Sequence, residues 1–195
     1  MNKFYISYIL LALSFALVTT SNDMLIFNDL DAVDNKNNNN NISLFAPFNR
    51  VAIKFFVADD DNNLIFSDNL KGRIVLVYLW STWCMDCIKG LQTLNKLTPY
   101  LKETSLQNVD ILPIAIGSTV QQAKEFYMQN NIKNLRLFFD VEHNVIKTFS
   151  RLNIETIPSL ILIDTNSLVA AVHIGILQSS VNYLYNFIGE LSEQD

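Results

Sequence analysis

Two cysteines occur in 195 residues, and they stand three positions apart in Trp80-Ser81-Thr82-Trp83-Cys84-Met85-Asp86-Cys87. That count and spacing restrict the chemistry. A structural disulfide framework uses more cysteines at wider separations. A tetrahedral zinc site needs two further ligands, and the two histidines, His143 and His173, lie far along the chain with no helical or hairpin spacing between them. The pair is read as a dithiol that opens and closes as a disulfide, with no cofactor and no metal. Thiolates also suit Cu(I), so a copper-binding metallochaperone using Cys84, Cys87 and a histidine is the alternative. The two-residue gap and the lack of a histidine in a matching loop count against it.

The residues around the pair must position it. Ile74-Val75-Leu76-Val77-Tyr78-Leu79-Trp80 is a continuous apolar run rich in β-branched residues, the pattern of a strand buried on both faces. Behind the first cysteine, Cys87, Leu91, Leu94, Leu97 and Leu101 fall at helical spacing, which predicts a helix from about Cys84 to Lys102, interrupted at Pro99. Cys84 then sits at a helix N-terminus, where unpaired N–H groups and the macrodipole favour a thiolate. This makes Cys84 the exposed nucleophile. Cys87, one turn in and facing the core, is the resolving thiol that attacks the mixed disulfide on Cys84.

Elsewhere the chain alternates strand and helix. Val51–Val57 and Leu64–Phe66 read as a hairpin around Asp59-Asp60-Asp61-Asn62-Asn63. Val109–Ile116 reads as a strand, Thr119–Asn130 as a helix, Leu135–Phe139 as a short strand and Val141–Phe149 as a short helix. Leu160–Ile163 and Leu168–Ile174 form a second hairpin, and a helix from about Gln178 to Leu191 closes the chain. The fold class is α/β, a central mixed sheet flanked by helices with an N-terminal β-hairpin extension.

Met1-Asn2-Lys3 is followed by a stretch from Phe4 to Asn22 without charge, almost wholly apolar as far as Val18. It matches the n- and h-regions of a secretory signal and approaches the ~20 residues of a membrane-spanning helix. Residues 1–22 are therefore read as a signal peptide or an N-terminal membrane anchor, 23–46 as a polar Asn-rich linker and 47–195 as the folded domain. Lys3 predicts that the body is translocated, so the location is periplasmic or extracytoplasmic, either soluble after cleavage or anchored to the inner membrane by residues 4–20. The net charge of −5 and the absence of a basic run exclude nucleic acid as the main partner.

Leu70-Lys71-Gly72-Arg73 through Cys87 resembles the thioredoxin superfamily, and within it the TlpA/ResA-like branch of exported thiol–disulfide oxidoreductases. Ile154-Glu155-Thr156-Ile157-Pro158-Ser159-Leu160 resembles that family's cis-proline loop, and Gly175 falls where the family has a glycine after the last strand. The resemblance implies a thioredoxin-like fold and a cis Pro158 beside the cysteines. It implies substrate contacts at Trp83, Met85 and Asp86, and at Ile157, whose backbone pairs with an extended peptide. The implied partners are exported protein thiols and disulfides, a membrane thiol-reducing donor of DsbD/CcdA type, and the membrane itself if the N-terminus is uncleaved. The family's commonest task is cytochrome c maturation. A non-catalytic interaction module on the same fold is a third reading, against which both cysteines count.

Three positions depart from the family pattern. Asp86 stands where proline is common, and its charge disfavours a thiolate on Cys84, which tilts the pair towards a disulfide reductase. Gly90 stands where many relatives have a glutamate, and Tyr78 where thioredoxin has a buried aspartate. Neither of these two carboxylates is present to take the proton of Cys87, and Lys89, Asp86 or water remain as acceptors.

Overall fold

A computed structural model describes residues 46–193 of the chain. The signal or anchor expected at 1–22, and all but the last residue of the expected linker, lie outside the described residues. One sheet runs through the domain. Its strands are β1 (Ala46–Ala52), β2 (Phe56–Asp59), β3 (Leu64–Phe66), β4 (Ile74–Trp80), β5 (Val109–Ala115), β6 (Phe138–Phe139), β7 (Ser159–Ile163) and β8 (Leu168–Ile174). The helices are α1 (Cys87–Glu103), α2 (Val120–Gln129), α3 (Asn144–Ser150) and α4 (Val181–Glu193). The strand order is β1-β8-β7-β4-β5-β6-β2-β3. β4, β5 and β6 are parallel, while β7, β8 and β1 add antiparallel strands beyond β4.

β4 is central, and all seven of its residues are buried, as its unbroken apolar run requires. Its side chains alternate between two cores. Val75, Val77 and Leu79 join Leu112, Ile114, Ile161 and the α3 residues Val145 and Phe149 on one face. Tyr78 and Trp80 point the other way. The Tyr78 hydroxyl reaches α1, and the Trp80 ring stacks on Tyr127 of α2 at a centroid distance of 5.4 Å. α4 packs beside α1.

Several sequence expectations are corrected. Val51–Val57 is not one strand. The chain leaves the β8 edge at Ala52 and rejoins the sheet at Phe56, beside β6. Between them Ile53 and Phe55 are buried in the core, and Phe55 exchanges backbone bonds with Ser67 instead of a ladder partner: its N–H donates to the Ser67 hydroxyl and its carbonyl accepts the Ser67 N–H. The turn that follows is built by Asp59, whose carboxylate accepts the N–H groups of Asp61 and Asn63. Those bonds, with Asn63's the strongest, hold it below the usual carboxylate range.

Pro99 does not interrupt α1. Proline leaves the carbonyl four residues earlier without its helical donor. Here that carbonyl, of Asn95, accepts the Asn134 side-chain amide at 3.0 Å, and the Asn95 side chain accepts the N–H groups of Lys133 and Asn134. A loop thus takes the place of the lost bond. The strand expected at Leu135–Phe139 shrinks to Phe138–Phe139. The helix expected from Val141 begins at Asn144, because Glu142 and His143 are in the left-handed region at φ 55° and 57°. α2 keeps its expected place, fixed by a capping box between Thr119 and Gln122.

Candidate active site

Cys84 and Cys87 form a disulfide with an S–S distance of 2.03 Å. The pair follows the C-terminal end of β4, but α1 begins at the second cysteine and not the first. Residues 81–84 and 84–87 close as two successive tight turns: the Cys84 N–H donates to the Ser81 carbonyl and the Cys87 N–H to the Cys84 carbonyl, each at 3.1 Å. Cys84 therefore precedes the helix by three residues, and the dipole acts on it from just outside the first turn. Nor is it widely exposed. Cys84 keeps 7% of its surface accessible and Cys87 none, so the expected difference between the two survives only as a narrow opening on the first cysteine. The exposed neighbours are Trp83 at 69% and Met85 at 72%. Trp80, by contrast, is a core residue.

The run before Cys84 is held by a hydroxyl cluster that sequence reading did not identify. Ser118, in the loop after β5, accepts the Thr82 N–H at 3.2 Å and lies 3.1 Å from the Thr82 hydroxyl and 3.3 Å from that of Ser81. Ser81 is fully buried. Removing Ser118 from this partly buried network deprives the Thr82 N–H and the buried Ser81 hydroxyl of that partner, at a cost of ~1–3 kcal/mol. Ser118→Ala is accordingly expected to lower the melting temperature by at least about 2–4 °C for a domain of this size. An unchanged melting curve contradicts that role for Ser118.

The Ile157-Pro158 peptide bond is cis. Sheet register places this loop at the same end of the sheet as the cysteines, since Ser159 pairs with Leu79 of β4 and with Ile174 of β8. The loop is tied down on both sides. The Ser159 hydroxyl donates to the Thr156 carbonyl at 2.7 Å, and the Gly175 N–H donates to the Pro158 carbonyl at 2.9 Å. Gly175 has φ 100°, a conformation that favours glycine. The Ile157 side chain packs on the core, while Ile174 and Ile176 are exposed at the same end. His173 is half-buried, and its ring nitrogen lies 3.1 Å from the Ile176 carbonyl. His143 is exposed at the N-cap of α3. Among the described residues, no three His, Cys, Asp or Glu side chains gather as a metal site.

Asp86 occupies the N-cap of α1 without making a side-chain cap bond. Burial, and after it the charge of Asp86, raises the Tyr78 phenol well above its ordinary value. Tyr78 therefore stays protonated, and its hydroxyl donates to the Cys87 carbonyl at 3.2 Å.

A disulfide between the end of a central strand and the start of a helix, with a cis-proline loop at the same end of the sheet, is the apparatus of thiol–disulfide exchange. The family model described as thioredoxin-like matches residues 72–169. The chain belongs to the thioredoxin-like family and is a thiol–disulfide oxidoreductase of the ResA type. It is 30% identical over 124 residues to thiol-disulfide oxidoreductase ResA of Bacillus anthracis, covering 64% of this chain and 68% of that one. Two solved structures share the fold. One is a DsbF homologue from Corynebacterium diphtheriae, with TM-score 0.62 and 16% identity over 80% of this chain and 98% of that one. The other is a secreted Mycobacterium tuberculosis disulfide oxidoreductase homologous to E. coli DsbE, with TM-score 0.57 and 17% identity over 70% and 96%.

Proposed function

We propose that this protein reduces disulfides in exported proteins, through attack by Cys84 and resolution by Cys87. The observation that carries the reading is the asymmetry of the pair: Cys84 has an opening to solvent and Cys87 has none. In the reduced form the Cys84 thiolate attacks a substrate disulfide. One substrate sulfur leaves as a thiolate, and the other stays bonded to Cys84. Cys87 then loses its proton to water and attacks the Cys84 sulfur, which releases the second substrate thiolate and closes the Cys84–Cys87 disulfide. Two electrons pass from the dithiol to the substrate. A membrane dithiol donor of DsbD/CcdA type restores the reduced form.

The site suits an extended, apolar chain. Trp83, Met85, Ile174 and Ile176 are exposed at one end of the sheet, and beside them the cis-proline loop offers the Ile157 backbone for strand-like pairing. Such a rim selects apolar residues near an accessible disulfide, so the proposed clients are exported proteins as a class, apocytochromes c among them. The apolar N-terminus supports an extracytoplasmic location, either as a cleaved signal or as an anchor. Secretion of the Mycobacterium tuberculosis relative agrees with that assignment.

The direction follows from Asp86. A carboxylate beside the pair disfavours the Cys84 thiolate and so favours the disulfide, which makes the dithiol a reductant. Equilibration of the purified protein with graded dithiol buffers tests this. A reduction potential close to the thioredoxin value of about −270 mV is expected, together with reduction of an insulin-type protein disulfide. A potential near the about −120 mV of the strong oxidant DsbA overturns the proposed direction.

A further inference from the structure

Under the cysteine pair, two unusual residues meet. Tyr78 is a fully buried phenol on the central strand, and Gly90 lies in the first turn of α1, on the face turned to it. A Cβ placed on Gly90 comes within 2.2 Å of the Tyr78 hydroxyl oxygen and 2.5 Å of its Cζ. No real Cβ makes such contacts, so the two positions are matched: the phenol occupies the space that any side chain at 90 needs. Glycine in a helix interior costs ~1 kcal/mol relative to alanine, and the space for the phenol is the only return visible here. The phenol uses that space to reach the Cys87 carbonyl with its hydroxyl, at 3.2 Å.

We propose that Tyr78 is a positioning residue for the resolving step, and that Gly90 is the opening that admits it. The inference rests on the exchange reading above. In the mixed disulfide, Cys84 is bonded to the substrate sulfur. The Cys87 thiol gives its proton to water, its sulfur attacks the Cys84 sulfur, and the bond from Cys84 to substrate breaks with the electron pair leaving on the substrate thiolate. Tyr78 touches neither sulfur in this scheme. Its hydroxyl fixes the peptide unit of the residue that carries the attacking sulfur, and so sets the approach of Cys87 to Cys84. Reactivity across two sulfurs depends on such placement, because an intramolecular attack gains its rate from a narrow range of distance and angle. Burial keeps the phenol protonated, so it donates throughout the working range of pH. The site thus uses a neutral donor where its relatives are expected to have a carboxylate, and it holds the resolving cysteine without supplying a base.

Stopped-flow reaction of the reduced full-length protein with excess dithiobis-nitrobenzoate separates the two steps. Attack by Cys84 releases one coloured thiolate, and resolution by Cys87 releases the second. Tyr78→Phe keeps the ring and removes only the hydroxyl. The expected result is an unchanged first phase and a second phase slowed about fivefold, the effect of one net hydrogen bond. A second variant, Tyr78→Leu with Gly90→Ala, refills the space without a hydroxyl and is expected to show the same slow second phase. A wild-type second phase in both variants, or equal slowing of both phases, overturns the proposal, since general loosening does not distinguish the steps. Absence of the first phase in the unmutated protein overturns the exchange reading itself. Normal phases in a protein that leaves protein disulfides intact overturn only its proposed substrate.

Discussion

Cys84→Ser is expected to reduce disulfide exchange to the rate of the buffer thiol alone, while Cys87→Ala is expected to free one substrate thiolate per protein molecule and stop as a mixed disulfide. The difference follows from position. A serine hydroxyl at 84 forms no bond to sulfur, so the first step is lost outright. At 87 the first step is intact, because the attacking sulfur of Cys84 and its exposed neighbours Trp83 and Met85 are retained. Without a resolving thiol, however, the substrate stays bonded to Cys84. Reduction of a protein disulfide, followed in single- and multiple-turnover form, checks both halves. Sustained turnover by Cys84→Ser, or failure of Cys87→Ala to form the mixed disulfide, contradicts the assignment.

Gly90→Glu places in this chain the residue expected of its relatives, and it is expected to prevent folding unless Tyr78 is also replaced. The graded variant shows why. Gly90→Ala adds one carbon 2.2 Å from a buried hydroxyl on the central strand. Overpacking of this severity costs about 3 kcal/mol, and better helix propensity returns about 1 kcal/mol. The net loss of about 2 kcal/mol lowers the melting temperature by about 4–8 °C. Glutamate adds two methylenes and a carboxylate to the same fully occupied space, where an unpaired charge is far more costly still. Thermal unfolding of Gly90→Ala, alone and with Tyr78→Leu, measures the coupling. Equal melting temperatures for the Gly90→Ala and unmutated proteins contradict the matching of the two residues.

What the sequence made visible was local. The run Ile74–Trp80, the cysteines after it and the leucine spacing of α1 are adjacent in the chain, and each has a periodicity of its own. The same holds for the hairpin turn around Asp164, where the carboxylate accepts the N–H groups of Asn166 and Leu168. What it concealed joins distant positions through register. Nothing at Tyr78 or Gly90 alone announces that the phenol needs the glycine. The departures read as two missing carboxylates, and only the packing of α1 on β4 turns them into one contact. Ser118 was hidden for the same reason, because its loop meets Ser81 and Thr82 only after β5 pairs with β4. Pro99 misled in the other direction. A helix break was the fair local expectation, and Asn134, far along the chain, removes it. The break between β1 and β2 was equally illegible, since Ile53 and Phe55 are as apolar as strand residues and are buried in the core without a strand partner.

In the proposed mechanism, substrate sulfur bonds to Cys84 and is released by Cys87. Peptide mass spectrometry of mixed disulfides trapped on Cys87→Ala and on Cys84→Ala, under identical conditions, reads where that bond forms. Substrate peptides joined to Cys84 are expected in the first variant, with little or no capture by Cys87 in the second, since that sulfur is fully enclosed. Capture by Cys87 in Cys84→Ala, with none on Cys84 in Cys87→Ala, contradicts the mechanism.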